Sequence, residues 1–361
     1  MAYTTIDNPE LYFQTKIYTA NGSTTHAITL DGSENMQPDW VWIKNRGTAT
    51  GEGDGHVVFD SIRGANKRLV VSSTGAESTQ TQDLKSFDSD GFTVGSNDNV
   101  NRSSDSFVSW NWKAGTSFTN DASSTGVGSI DSAGSVNTDA GFSIVSYTGT
   151  GSTGTVAHGL GATPGVIIFK ERADDAHAWI VYHHKNTSAP ATDYLLLNST
   201  SATDDYADYF NDTAPTSSVF TIDTAGDING SSDTYIAYCF AEKQGFSRFG
   251  NYIGNGTTDG GFVYTGFKPA WLMVKEIVSG GGWGMWDNKR MPFNTSAAIR
   301  LLANTNAADD SSNDNRIDFL SNGFKVRTSS GGFNQNATTY IYLAFAESPF
   351  VSSTGTPTTA R

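Results

Sequence analysis

His183 and His184 stand side by side after the apolar run Trp179-Ile180-Val181-Tyr182, with Asp174, Asp175 and His177 just upstream. Imidazoles and carboxylates are the usual ligands of zinc and related ions. Neighbouring side chains on a strand point to opposite faces, so this pair cannot easily share one ion and no metal is expected. Asp88-Ser89-Asp90-Gly91 has the opening of a calcium loop. Such a loop needs a bidentate Glu at its twelfth position; the residue there is Asn99, and an Asx-type turn before a strand is the better reading. The acidic pairs Asp204-Asp205 and Asp309-Asp310 could serve a glycosidase as a dyad. They lie in matched Ser/Thr/Asn/Asp-rich loops, and one reaction needs one dyad. HExxH, CxxC and nucleophile-elbow patterns do not occur. No catalytic residue, metal or cofactor is expected, and the chain reads as a non-enzyme.

Aromatic side chains offer a second chemistry, stacking on sugar rings. Trp179, His183, Trp283 and Trp286 are the candidate ligand-binding residues of this kind. Core filling competes with that reading for Trp40, Trp42, Trp271 and Trp286, because large aromatics dominate burial. Trp40, Val166 and Trp271 occupy matched places, and a tryptophan kept for stacking has no reason to become valine.

The elements that hold these residues follow from an internal repeat, the first pattern to seek. Tyr18-Thr19-Ala20-Asn21-Gly22, Tyr147-Thr148-Gly149-Thr150-Gly151 and Tyr252-Ile253-Gly254-Asn255-Gly256 open three copies. Each continues to a Pro and an apolar run ending in Lys: Pro38 to Lys44, Pro164 to Lys170, Pro269 to Lys275. The copies end on Phe107 to Lys113, Tyr235 to Glu242 and Tyr340 to Glu347. Tyr147 to Tyr252, Pro164 to Pro269, Lys170 to Lys275 and Tyr235 to Tyr340 all step by 105. The first copy is longer, through a Gly-rich insert from Gly47 to Gly55 and the segment Thr116 to Ala140. Residues 1–114 then hold the first repeat with an N-terminal docking segment, 115–140 a Ser/Thr/Gly-rich linker or extra strands, 141–245 the second repeat, 246–350 the third and 351–361 a tail. In the docking segment Leu11, Tyr12 and Phe13 are the expected partner contacts.

Within a repeat the apolar runs are short, bounded by Gly, Pro, Asn and Asp, and several alternate at period two. Six to eight such strands without helices give an all-β chain of three tandem β-sandwich domains, jelly-roll or lectin-like. Tyr340 to Phe345 is apolar at nearly every position, as a strand covered on both faces or facing a neighbour must be.

Composition excludes several classes. The 361 residues carry 23 Lys+Arg against 37 Asp+Glu, a formal charge of -14, with no basic cluster; nucleic acid is not an expected partner. Aromatics at 12% set the chain apart from disordered ones. Cys239 is the single cysteine, so no intrachain disulfide forms. No apolar run reaches a membrane span, and the N-terminus lacks the charged and apolar regions of a signal peptide.

Further motifs carry a resemblance: His158-Gly159-Leu160-Gly161-Ala162-Thr163-Pro164, Ile236 to Lys243, Phe87 to Gly95 and Phe319 to Phe324. With the Tyr147 to Gly151 element, they make the chain similar to a family of uncharacterised virion proteins of marine tailed phages. The similarity runs from Phe13 to Arg361. It implies a structural part of the particle, a tail fibre or receptor-facing module made in the bacterial host cytoplasm. A capsid decoration protein and a lectin-like carbohydrate-binding protein are the alternatives. The implied partners are other virion proteins of tail or capsid, further copies of the chain, and a host surface glycan. Membrane insertion is not expected. The first copy departs from the motif, reading Asp31 to Gln37 in place of His-Gly-Leu-Gly.

Overall fold

The computed structural model describes residues 2–47, 55–174, 176–294 and 298–358. Most of the Gly47 to Gly55 insert, together with Asp175 and the terminal Ala360-Arg361, lies outside the described residues.

The same strand order occurs three times. The first strand of each repeat (Phe13–Thr19, Phe142–Thr148, Ser247–Ile253) pairs antiparallel with the last (Ser106–Trp112, Thr234–Phe240, Thr339–Pro349). The last strand pairs on its other side with the third (Trp40–Asn45, Val166–Glu171, Phe267–Glu276). The third pairs with the fourth (Val57–Asp60, Ile180–His183, Gly284–Asp287), and two further short strands in the first and second repeats and one in the third follow at the edge. The second strand (His26–Thr29, Gly154–Ala157, Phe262–Tyr264) leaves this sheet for a smaller one, built on Gly91–Val94, Val219–Ile222 and Gly323–Val326. First with last and second with next-to-last is the nested pairing of a jelly roll. Between these pairs the third strand, the fourth and the short edge strands meander by hairpins in the main sheet. The chain is thus all-β, of sandwich type with one strand order used three times, and among the described residues the helices are single turns such as Asp98–Asn101, Gly226–Asn229 and Gly331–Asn334.

The segment between the first two repeats forms extra strands. Thr116–Asn120 and Ser132–Asn137 extend the second repeat's main sheet at its edge. Ile130 runs along the second strand of that repeat, bridging Val156. Asp88-Ser89-Asp90-Gly91 is a hairpin turn. Asp88 pairs with Gly91 and its carboxylate accepts from Ser86 and Thr93 hydroxyls at 2.7 Å. Gly91 sits at φ +124, where a Cβ would lie 2.0 Å from the Ile28 carbonyl oxygen, so only glycine fits.

Strand alternation divides the core in two. Val41 and Ile43 point into the first repeat's own sandwich with Phe92 and Phe107, whereas Trp40 and Trp42 point into a core shared by all three repeats. Tyr340 to Phe345 is buried along its whole length: one face lies in the sandwich and the other against neighbouring repeats, which is why its sequence does not alternate.

Candidate functional site

The shared core closes the repeats into a ring. Trp112, Phe240 and Phe345 hold the same place in the three last strands. Their rings form a triangle, with centroids 6.5, 5.8 and 5.6 Å apart. Trp40 stacks on Tyr238 at 4.5 Å, Trp271 lies 5.8 Å from Phe345, and Phe13 stacks on Phe345 at 5.4 Å. Edge-on and offset ring contacts of this kind add to the area they bury.

Around the triangle, matched polar groups reach in one direction from repeat to repeat. The lysines that end the apolar runs are all fully buried. Lys170 Nζ donates to Thr74 O of the first repeat at 3.3 Å, Lys275 to Thr200 O of the second at 3.3 Å, and Lys44 to Asn306 O of the third at 3.2 Å. Each also caps the carbonyl of the next residue in its own strand. A buried ammonium is tolerated only with its donors satisfied; here carbonyls of two repeats do this. Burial still lowers Lys275 to about 8.

A second set repeats the pattern. Trp179 Nε1 donates to Val70 O at 3.1 Å and Trp283 Nε1 to Leu196 O at 2.8 Å, again from a repeat to its predecessor. At the matching place in the first repeat, His56 lies beside the Leu302 backbone of the third. A third set ends the fourth strands. Asp60 accepts from Tyr238 of the second repeat at 2.8 Å, and Asp287 from Trp110 Nε1 of the first at 3.1 Å. His183 takes the same place in the second repeat and bonds Tyr342 O of the third at 3.2 Å. Asp60 and Asp287 each hold a fully buried arginine, Arg63 at 2.5 Å and Arg290 at 2.6 Å. Arg172 with Glu77 at 2.9 Å and Arg46 with Asp309 at 2.7 Å complete the seams. A heterologous contact that closes after three steps is a ring with threefold pseudosymmetry.

This geometry corrects the sugar-stacking candidates. Trp179, His183, Trp283 and Trp286 are each 0% exposed and offer no face to a ligand. Three of the four are hydrogen-bonded to a neighbouring repeat, and Trp286 donates to Asn315 O within its own. Nothing local in the sequence reveals that another repeat covers Trp179, His183 and Trp283.

The N-terminal docking candidates are corrected too. Phe13 is 1% exposed in the shared core, Tyr12 packs edge-on against Phe246 at 5.8 Å, and Leu11 is half-buried. The segment docks on its own chain. Tyr3 Oη donates to Gly266 O at 2.8 Å, Thr4 Oγ1 to Gln244 O at 2.7 Å, and Asp7 accepts from Ser353 N at 2.6 Å. Ile6 is buried between them and the core. Deleting residues 2–7 should lower stability by about 2 kcal/mol, chiefly through Ile6. A thermal melt checks this, and an unchanged midpoint would contradict it.

Sequence reading missed three buried asparagines. Asn101, Asn229 and Asn334 accept from the backbone N–H of Asn21, Thr150 and Asn255 at 2.9, 2.8 and 3.0 Å. In each repeat a tyrosine, Tyr18, Tyr147 or Tyr252, donates to the carbonyl just before that asparagine. The signal was present as an apolar-Asn pair at Val100-Asn101, Ile228-Asn229 and Phe333-Asn334.

The acidic pairs do not form dyads. Asp309 is held by Arg46 and Arg290, and Asp310 by Arg300. Asp204 and Asp205 are exposed. Backbone pairing puts Asp309 opposite Arg46 as Thr203 stands opposite Ile277, so Asp309 matches Thr203, one residue before Asp204. Among the described residues, no three His, Cys, Asp or Glu side chains cluster as a metal site.

Burial of the histidines sets a pH dependence. Burial pushes His183 down to about 3, with His184 adding to the shift, and pushes His158 down to about 4. His56 also falls well below its ordinary value by burial. The unfolded chain therefore binds more protons than the folded one from the ordinary 6.5 down to those values, and stability drops as pH falls through that window. Asp83, raised to about 6 by burial, opposes this between 3.8 and 6, one group against three. The melting midpoint should fall between pH 7 and pH 4, and His183→Gln should flatten the slope; an equal slope in both proteins would contradict it.

The fold and its seams define an all-β protein in which three repeats close on one another within a single chain. Residues 8–349 match a family described as a domain of unknown function, DUF7483. The chain belongs to that family, and the match spans all three repeats. No curated protein matches the sequence.

Proposed function

We propose that the chain is a structural component of a phage particle, an external tail-fibre or receptor-facing module without catalysis. The observation that supports this most is where the polar chemistry goes. The buried lysines, the Arg172–Glu77 and Arg46–Asp309 pairs and the indole N–H groups join repeat to repeat around the Trp112, Phe240 and Phe345 triangle. A rigid threefold-like body suits attachment to a threefold part, since closed symmetric assembly is the rule for such structures. Its acidic surface resists non-specific association. The resemblance to virion proteins supports the same reading. The partners are then other virion proteins, further copies of the chain, and a surface glycan of the host.

Capsid decoration is the second reading, favoured by the same pseudosymmetry, which also suits a threefold position on a head. Immunogold labelling of intact virions separates the two. Label confined to tails is the expected result. Label over the heads would replace the fibre reading with decoration, and absence of the protein from purified virions would overturn both.

A further inference from the structure

The third repeat carries an open groove of about 760 Å³ that the closed seams do not use. This is within the size range of pockets that hold small organic ligands. At one side of it Glu347 is held at both oxygens, by Lys268 Nζ at 2.8 Å and by Asn288 Nδ2 at 2.9 Å. The Glu347 side chain is still about one-third exposed, at 34%. A fixed acceptor, an amide and an ammonium thus lie together with lone pairs and protons to spare.

The opposite kind of surface stands beside them. Phe293 lines the groove and is 68% exposed, an unusual state for a large aromatic ring. Its display is anchored: the next residue, Asn294, donates to Phe319 O and accepts from Phe319 N, both at 2.9 Å. Met291 adds apolar wall.

Neither matching place in the other two repeats is built in the same way. Glu242 matches Glu347 in the second repeat, but its oxygens are occupied by Phe249 N at 2.8 Å and Arg248 at 3.1 Å from the repeat that follows. The matching residue in the first repeat is Ala114, which is buried. In the third repeat both partners of the carboxylate come from its own repeat, and the side chain lines the groove.

We infer that this groove binds a neutral saccharide, with a pyranose ring stacked on Phe293 and adjacent hydroxyls bonded to Glu347, Asn288 and Lys268. A pyranose has an apolar C–H face and a rim of hydroxyls that donate and accept at once. That matches a bare ring set beside a carboxylate, an amide and an ammonium. An anionic ligand would meet Glu347, and a purely apolar one would strip water from the polar set without replacing its hydrogen bonds. The inference does not depend on the virion reading.

The test uses the intact purified chain and saturation-transfer NMR with glucose, galactose, mannose and N-acetylglucosamine, each at millimolar concentration. Transfer to ring protons of at least one sugar is expected. Phe293→Ala and Glu347→Gln should each weaken binding by about tenfold, while Phe293→Tyr retains it. Circular dichroism melts show whether each variant is folded. Absence of transfer from every sugar would overturn the inference, as would transfer that persists unchanged in both folded variants.

Discussion

Phe345→Ala should destabilise all three repeats together, by about 3–5 kcal/mol. Phe345 is 2% exposed and touches rings from every repeat. Phe13 and Trp112 come from the first, Phe240 from the second, and Phe246, Phe249 and Trp271 from the third, all with centroids 5.4 to 5.9 Å away. Truncation removes the partner of six rings and leaves a cavity. Flat rings fixed by their own strands relax poorly into such a space, so the cost lies toward the upper end of the aromatic-to-alanine range. Denaturant unfolding, followed by both tryptophan fluorescence and far-ultraviolet circular dichroism, gives the readout. The two curves should shift together. A loss under 1 kcal/mol, or a curve in which one part of the molecule melts early, would contradict the shared core.

Asp287→Ala should cost a comparable amount by a different route, about 3–5 kcal/mol. Asp287 and Arg290 have side chains 0% exposed. Removing the carboxylate strands a buried guanidinium, which keeps Asp309 at 3.0 Å and lies 5.5 Å over the Trp110 ring. It also takes away the acceptor of Trp110 Nε1, one of the links from the first repeat to the third. A buried pair contributes little net stability over an apolar replacement, whereas half a pair is strongly unfavourable. The double variant Asp287→Ala with Arg290→Met should therefore recover most of the loss. Equilibrium unfolding of the two single variants and the double variant measures the coupling, and purely additive losses would contradict it. The second repeat shows that the site tolerates an uncharged version. His183 and Asn186 stand where Asp60 and Arg63 or Asp287 and Arg290 stand elsewhere, and Asn186 Oδ1 accepts from Thr203 Oγ1 at 2.6 Å.

Much of this was legible in the sequence because repetition reports on itself. The constant step from Tyr147 to Tyr252 and from Lys170 to Lys275 marks matched strands, and the structure pairs them alike. The unbroken apolar run Tyr340 to Phe345 announced a strand covered twice. The interchange of Trp40, Val166 and Trp271 pointed to core rather than ligand, and all three are buried.

What could not be read was the relation of one repeat to another. Lys44, Lys170 and Lys275 were visible as landmarks, but a lysine at the end of a strand is ordinarily solvated. Only closure of the ring supplies the carbonyls of Asn306, Thr74 and Thr200. His183 was misread for the same reason, since its partner Tyr342 is 159 residues away. The segment ahead of Phe13 read as docking on a partner because its contacts within the chain, Gln244, Gly266 and Ser353, are distant in sequence. The groove at Glu347 was likewise hidden: Glu242 and Glu347 look equivalent in the repeat, and only the fold shows that the partners of Glu242 come from the following repeat and those of Glu347 from its own.

Differential scanning calorimetry of the intact chain tests the closed ring most directly. The expected result is a single transition whose calorimetric enthalpy equals its van't Hoff enthalpy, because no repeat can open without exposing the Trp112, Phe240 and Phe345 triangle. Two or three resolved transitions, with each repeat melting on its own, would contradict it.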